Sequence, residues 1–318
     1  MNVPTIHPEI TIGILCYNAE NTIQRAIESA VNQEHCNFEV IVVDDASTDG
    51  SLEKISPFLN DPKVKMISHA TNQGQGSARN SVIKAARGAF VVFFDDDDIS
   101  EPHRLKVQKD IILTNEERFK TKKIACFASG RRVYPNGYIV ISQAIGSAGE
   151  TPPNGADLAK YLLAFVRKEN WYYGAGTPTS GLMIRRDLLK KVGGFDPTLR
   201  RVEDVDLAIR LALMGAYFVG SHEQLVERNM TESSYKLPEH NLLAEQKLAI
   251  KHREFLIKEG LFYHAYNWPE LRYRHFKREY LKFILTLIGL FIHNPIRTIF
   301  HLFSTGPKRL IHELQMKV

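Results

Sequence analysis

Three short apolar runs, residues 10–16, 38–43 and 89–94, constrain this chain most, because each has the length of a buried strand and helical periodicity lies between them. Between the first two, Ile23, Ala26, Ile27, Ala30 and Val31 recur at helical spacing behind polar residues 18–21, which suits a capped amphipathic helix. A second helix is expected from Ser51, where Leu52, Ile55 and Leu59 keep that spacing, then a strand over 64–68 and a third helix over 77–87. Parallel strands need crossover connections, so this alternation predicts an α/β fold: a mainly parallel, twisted sheet with helices on both faces.

Beyond residue 94 the pattern is mixed. Residues 132–134 and 138–141 flank Pro135-Asn136-Gly137, a hairpin signal, and helices are expected over 203–213 and 241–258. From Arg272 the character changes again: a basic cluster (Arg272, Arg274, Lys277, Arg278, Lys282), the apolar run 283–292, a Pro295 break and an amphipathic run over 296–303. Two units are therefore expected, residues 1–235 and a helical, basic and apolar C-terminal extension over 236–318. Both fit a chain of 318 residues with 44% apolar content.

The net charge of +5 is too small for a dedicated nucleic-acid binder, so no nucleic-acid partner is expected. Three cysteines without paired spacing make neither a disulfide framework nor a zinc site, and residues 1–10 lack the layout of a signal peptide; a cytoplasmic location is expected. The apolar run 283–292 is about half the ~20 residues a membrane-spanning helix needs.

Four consecutive carboxylates, Asp95 to Asp98, follow directly on the third strand. Hard cations such as Mg²⁺ or Mn²⁺ take carboxylate and phosphate oxygens together, and ligands of open α/β sheets bind beyond the carboxyl ends of the strands. This run therefore points to a metal–diphosphate site. The plain alternative is a solvated connection in which Asp98 or Ser100 caps the next helix before Pro102. An EF-hand loop is excluded by the missing glycine and terminal glutamate, and a DDxxD prenyl-type motif fails because position 99 is Ile. Val42-Val43-Asp44-Asp45 brings acids to the end of a second strand, where Asp45 suits the imide N–H of a uracil ring; Ser47 and Asp49 read as turn and cap residues.

These segments, with Ile14 to Glu20, Asn72-Gln73-Gly74, Ala78-Arg79-Asn80, Gly193-Gly194-Phe195-Asp196 and Glu203-Asp204-Val205-Asp206, resemble family 2 glycosyltransferases, in order and at the right spacing over roughly residues 8–230. The resemblance implies a GT-A fold for residues 1–235 and an inverting transfer assisted by Mn²⁺ or Mg²⁺. It places Tyr17 in the nucleoside pocket, Asp45 on the base and Arg79 near the nucleotide. The DxD motif falls on Asp95-Asp96-Asp97, whose middle or last member contacts ribose and metal; Asp96 is the candidate for the ribose and Asp95 and Asp97 for the metal, with the ligating member left open by the sequence, and Asp204 becomes the general base. Without the family pattern, Arg79 reads as a helix-surface arginine and Glu203-Asp204 as acids favouring a helix start. Asp206 and Arg210 read as a surface ion pair.

Two departures shape the expectation. Glu227-Arg228-Asn229-Met230 stands where many relatives carry a histidine, and the (Q/R)xxRW motif of processive synthases is missing, which favours single additions. Expected partners are a nucleotide-sugar donor, UDP-linked by family habit, and a glycan or lipid-linked acceptor in polysaccharide or glycoconjugate synthesis. The tail suits peripheral contact with a membrane surface, and equally a packing face on the catalytic unit or on a second subunit of a homodimer. Rival readings are a nucleotidyltransferase of similar architecture, a non-catalytic nucleotide-sugar-binding module, and an NAD-dependent dehydrogenase. The last is disfavoured because Gly74-Gln75-Gly76 lacks the third glycine of its fingerprint, position 79 being Arg.

Overall fold

The computed structural model describes residues 7–35, 37–134, 136–229 and 238–315, with side chains described as far as residue 306. The expected boundary between residues 235 and 236 lies outside the described residues, as does Cys36.

The first half follows the predicted alternation: β1 (Ile10–Cys16), α1 (Ile23–Val31), β2 (Phe38–Asp44), α2 (Ser51–Ile55), β3 (Val64–Ser68), α3 (Gln75–Ala85) and β4 (Phe90–Phe94). β5 (Asp98–Ser100), α4 (Arg104–Phe119), β6 (Ile124–Val133), β7 (Ile139–Ser142), α5 (Gly155–Ala164), β8 (Leu182–Arg185), α6 (Arg186–Lys191), α7 (Glu203–Leu213) and β9 (Tyr217–Asn229) complete the sheet and its cover. The sheet runs β3-β2-β1-β4-β8-β6-β9-β5, with β7 paired to β6. β1 to β4 are mutually parallel; β8 then enters antiparallel to both β4 and β6, and β9 runs parallel to β6.

Successive side chains of the central strands enter opposite cores, as the two-residue strand period requires. Leu15, Val43, Val91 and Phe93 pack with Ala78, Val82 and Leu207 on one face. Ile14, Val42, Val92 and Phe94 pack with Ile23, Ile27, Leu105 and Ile112 on the other. α3 rides so close to β1 that a Cβ on Gly13 would sit 2.5 Å from Val82 Cγ1. The hairpin forms as expected, with Val133 opposite Ile139.

Two expectations and one plain alternative are corrected. α3 begins at Gln75, two residues early, because Gly74 at φ 88° supplies the turn that starts it. Asp98 and Ser100 cap no helix: they form β5, antiparallel to β9, and α4 starts only at Arg104. The helix expected over 241–258 is two, α8 (Pro238–Lys251) and α9 (Arg253–Lys258), because His252 turns inward at the junction to meet Asp206.

Asp206 is itself the largest correction to a single residue. The i,i+4 bond to Arg210 exists at 2.8 Å, yet Asp206 is fully buried and its other oxygen takes His252 Nε2 and Lys251 Nζ, each at 2.9 Å. Against burial, the hydrogen bonds from His252 and Lys251 and the charges of Arg210 and Lys251 hold its carboxyl below the usual range. Replacing it leaves the buried His252 ring without its acceptor and takes the shared carboxylate from Lys251 and Arg210, so Asp206→Ala is expected to cost about 2–3 kcal/mol in denaturant unfolding; a loss under about 1 kcal/mol would show these bonds to be dispensable.

The extension continues with α10 (Phe262–Phe276), α11 (Tyr280–His293) and α12 (Pro295–Gln315). Leu256, Leu261 and Ala265 close a small core with Ala164 of α5, so α9 and α10 pack on the sheet-bearing unit. Among the described residues no helix is long and apolar enough to cross a membrane.

Candidate functional site

Parallel pairing of β1 with β2 and β4 aligns Cys16 with Asp44 and Ile14 with Phe94. The residues leaving these strands, Tyr17, Asp45 and Asp95, therefore emerge at one edge of the sheet, where the chain has just left the buried ladder.

The acidic loop is held from several sides. Tyr17 N–H donates to Asp96 Oδ2 at 3.3 Å, and Arg25 donates to the Asp97 carbonyl at 3.0 Å. The Tyr17 ring is left 38% exposed beside this contact. Beyond the loop, β5 clips the chain to β9 and buries Asp98, whose Oδ2 lies 3.8 Å from Arg228 Nε and has no hydrogen-bond partner. Burial first, then Asp97 and Asp95, pushes the Asp96 carboxyl up to about 8. Burial and Asp95 push Asp98 up to about 7 against the pull of Arg228. Carboxylates gathered this tightly repel one another until a cation joins them.

Arg79 joins this loop to the opposite wall. Although it lies on α3, it is buried, against its reading as a surface arginine. Nη1 donates to Glu203 Oε1 at 2.5 Å, Nη2 lies 3.6 Å from Asp95 Oδ1, and the guanidinium covers the Phe195 ring. Glu203 opens α7, and the next residue is Asp204, half-buried, with its Oδ1 taking the Val205 N–H at 2.8 Å. Burial, then the Glu203 charge, raises the Asp204 carboxyl to about 6, with Arg79 opposing. Asn80, next to Arg79, makes a two-way clamp with the Phe195 backbone, its Oδ1 taking the N–H and its amide donating to the carbonyl, each at 2.8 Å. The separate motifs 78–80, 193–196 and 203–206 thus form one wall.

Asp45 is brought to the same edge but is occupied. Its carboxylate accepts Gln73 N–H at 2.9 Å, Gly74 N–H at 2.7 Å and the His69 Nδ1 contact at 2.6 Å, and only 4% of the residue is exposed. It fixes the turn that launches α3 and so aims Arg79. Ser47 and Asp49 serve as the expected turn residues: Asp49 Oδ1 takes Ser51 N–H at 3.0 Å and Ser47 Oγ takes Asn18 N–H at 3.0 Å.

Sequence reasoning missed two residues here, Glu203 and Arg228. Glu203 was passed over in favour of its neighbour, although an acid beside a candidate base is a natural anchor for a buried arginine. Asp98 belongs to the acidic run that the sequence points to as a metal–diphosphate site, and its plain alternative, a helix cap, is excluded by its place in β5. Arg228 reaches toward the acids as a cation, its Nε 3.8 Å from Asp98 Oδ2; no local pattern indicates that β9 pairs with β5.

The residues fit a hard divalent cation. Carboxylate oxygens of Asp95, Asp97 and Asp98 lie within 4.8 Å of one another, and Asp98 offers the unpartnered oxygen. Asp96 stands apart from this group on its bond to Tyr17.

Known proteins are similar to this chain in sequence and in fold. The chain is 33% identical over 196 residues to an uncharacterized glycosyltransferase of Nostoc sp., covering 61% of this chain and 56% of that one. It is 44% identical over 108 residues to the succinoglycan biosynthesis protein ExoO of Rhizobium meliloti, covering 33% and 31%. It thus spans about half or less of the length of these relatives. An Escherichia coli protein named UDP-Glc:alpha-D-GlcNAc-diphosphoundecaprenol beta-1,3-glucosyltransferase is 36% identical over 110 residues, covering 35% and 43%. Among solved structures, the S. aureus TarS fragment 1–349 with UDP-GlcNAc superposes with a TM-score of 0.62 at 21% identity, covering 91% of this chain and 82% of that one. The fold is accordingly that of the GT-A enzymes. The profile described as Glycosyl transferase family 2 matches residues 11–193, more than half of the chain, and this protein belongs to that family.

Proposed function

We propose that this chain transfers one sugar, with inversion, from a nucleotide-diphosphate donor, a UDP-sugar first of all, to a hydroxyl of a glycan or lipid-linked acceptor in polysaccharide or glycoconjugate synthesis. The observation that carries this reading is the Arg79 bridge, which holds Asp95 and Glu203 together and so sets the acidic loop beside Asp204. Support for the donor comes from TarS, solved with UDP and with UDP-GlcNAc on the same fold. Support for a lipid-linked acceptor comes from the E. coli relative, whose name specifies a diphosphoundecaprenol acceptor. Such an acceptor also suits a peripheral position on the cytoplasmic face of a membrane, reached through the extension.

In this reading the Tyr17 ring walls the nucleoside, Asp45 takes the base through its remaining lone pair or through the turn it fixes, and Asp96 accepts from the ribose. Asp95 and Asp97, with Asp98 behind them, hold Mg²⁺ or Mn²⁺. When bound, that ion neutralises charge developing on the diphosphate oxygens. Asp204 removes the proton of the acceptor hydroxyl as its oxygen bonds the anomeric carbon, while the bond from that carbon to the diphosphate breaks and the nucleoside diphosphate leaves. Arg79 keeps Glu203 and the helix start fixed and limits the rise of the Asp204 carboxyl, so the base remains ionised at neutral pH.

A thermal-shift screen tests the donor. UDP with Mn²⁺ at about a hundredfold excess over its dissociation constant is expected to raise the melting temperature by about 5 °C; no response to any nucleoside diphosphate with metal would overturn the reading. Release of pyrophosphate from a nucleoside triphosphate would instead favour the nucleotidyltransferase. The pH dependence has a definite sign. A base must be deprotonated to act, so kcat/KM is expected to climb about tenfold per pH unit up to a bend near the Asp204 value of about 6, then level. A rate independent of pH between 5 and 7 would remove this group from the mechanism.

A further inference from the structure

The last two helices are amphipathic the wrong way round for a protein in water. On α11, Leu281, Leu285, Ile288 and Ile292 follow helical spacing along one stripe, and each is between 49% and 77% exposed. On α12, Ile296, Phe300 and Phe303 do the same and are 53–81% exposed. The orientation is fixed by polar and aromatic groups turned inward. His301 stacks on Trp268 with centroids 3.6 Å apart, and Thr298 Oγ1 donates to the Leu290 carbonyl at 3.0 Å. His293, at the exposed end of α11, stacks on Tyr263 at 3.5 Å, and Gly289 leaves room for the Tyr263 hydroxyl, which a Cβ there would meet at 2.6 Å. Helices that bury His301 and Thr298 while presenting Leu, Ile and Phe have no partner for that apolar face among the described residues, as an external apolar surface would require.

Charge decides what that partner is. Residues 236–318 hold 14 Lys and Arg against 7 Asp and Glu, a net +7, whereas residues 1–235 hold 27 against 29, a net −2. All the excess positive charge of the protein therefore lies in the unit that carries the apolar stripes. Arg278 and Lys282 are exposed at the start of the α11 stripe, beside Tyr280 and Leu281. A second copy docked on this face would oppose +7 to +7. An anionic lipid surface would attract both features: headgroups to the cations, acyl chains to the stripes. α11, with 14 residues, is about 21 Å long, short of the ~30 Å hydrocarbon core, so it lies along the bilayer rather than through it.

We infer that α11 and α12 form a two-helix platform that sinks its outward apolar stripes into an anionic lipid bilayer and holds the sugar-transfer site at the membrane surface. This deepens the peripheral contact proposed above and rests on that reading only for its purpose, since the platform binds lipid whatever the site transfers.

Flotation of the full chain with vesicles tests it. The protein is expected to float with phosphatidylglycerol vesicles at low salt, to float less at high salt and to stay behind with pure phosphatidylcholine. L281S/I292S should lower the vesicle partition coefficient by about tenfold or more, with melting temperature and UDP–Mn²⁺ binding unchanged. Wild-type protein left unbound by phosphatidylglycerol vesicles, or a double variant that floats like wild type, overturns the inference. So does a wild-type dimer in light scattering that the double variant converts to monomer without any vesicle binding, because the stripes then belong to a second copy. Protein that floats but binds no UDP with Mn²⁺ sinks the transferase reading and leaves the platform standing; protein that binds UDP with Mn²⁺ but never floats does the reverse.

Discussion

Asp204→Asn is expected to lower turnover about 10³-fold, within the 10²–10⁴ range of general-base catalysis, while leaving UDP affinity in Mn²⁺ within a factor of about two. The asparagine amide keeps the shape and can still accept the Val205 N–H, but it cannot carry away the acceptor's proton. The loss should fall on kcat, because Asp204 stands on the α7 wall, beyond the Arg79–Glu203 pair from the acids expected to hold the diphosphate. Initial rates across donor concentration, with calorimetric UDP binding on the same preparation, separate the two quantities. Turnover near that of wild type removes Asp204 from the mechanism. A matching loss of UDP affinity would move it to the donor side of the site.

Asp97→Ala should act on binding instead, and with opposite signs in the free and bound protein. In Mn²⁺ its UDP affinity is expected to fall about 100-fold, the effect of losing a carboxylate ligand or its support, and EDTA should bring wild type to the same level. Without metal, the substitution removes a repulsion that helps push the Asp96 carboxyl up to about 8. The metal-free variant should therefore melt at or above the wild-type temperature, an exchange of stability for function common at binding sites. A variant that melts lower than wild type without metal, yet keeps its UDP affinity in Mn²⁺, would show Asp97 to be a structural residue.

The parallel half of the fold was legible because its signals are local. Seven residues from Ile10 to Cys16 read as strand and are buried throughout, and the two-residue period sends Leu15 and Ile14 to opposite faces whatever their neighbours do. The second half depends on pairings between distant residues. β5 has three residues and exists because β9, more than a hundred positions later, offers it an edge; no periodicity reveals that, so a helix cap stands as the plain alternative for Asp98 in the sequence. The site shows the same division. Its aspartates were visible as types in a pattern, but what Arg79 does depends on Glu203, 124 residues away, and an isolated arginine on a helix carries no mark of its partner. Asp206 and Arg210 have the spacing of a surface pair, and only the approach of Lys251 and His252 at the α8–α9 junction shows that Asp206 is buried. The tail's amphipathic character was readable in sequence, whereas the direction its apolar stripes face was not, because stacking of His301 and His293 on residues of α10 sets it.

Electron–nuclear double resonance on Mn²⁺ bound to the full chain with UDP examines the proposed donor site at its centre. Strong coupling to phosphorus-31 from a directly coordinated phosphate is predicted for wild type and should vanish in Asp97→Ala. A Mn²⁺ signal that shows no phosphorus coupling in the wild-type protein, with UDP demonstrably bound, would contradict the account.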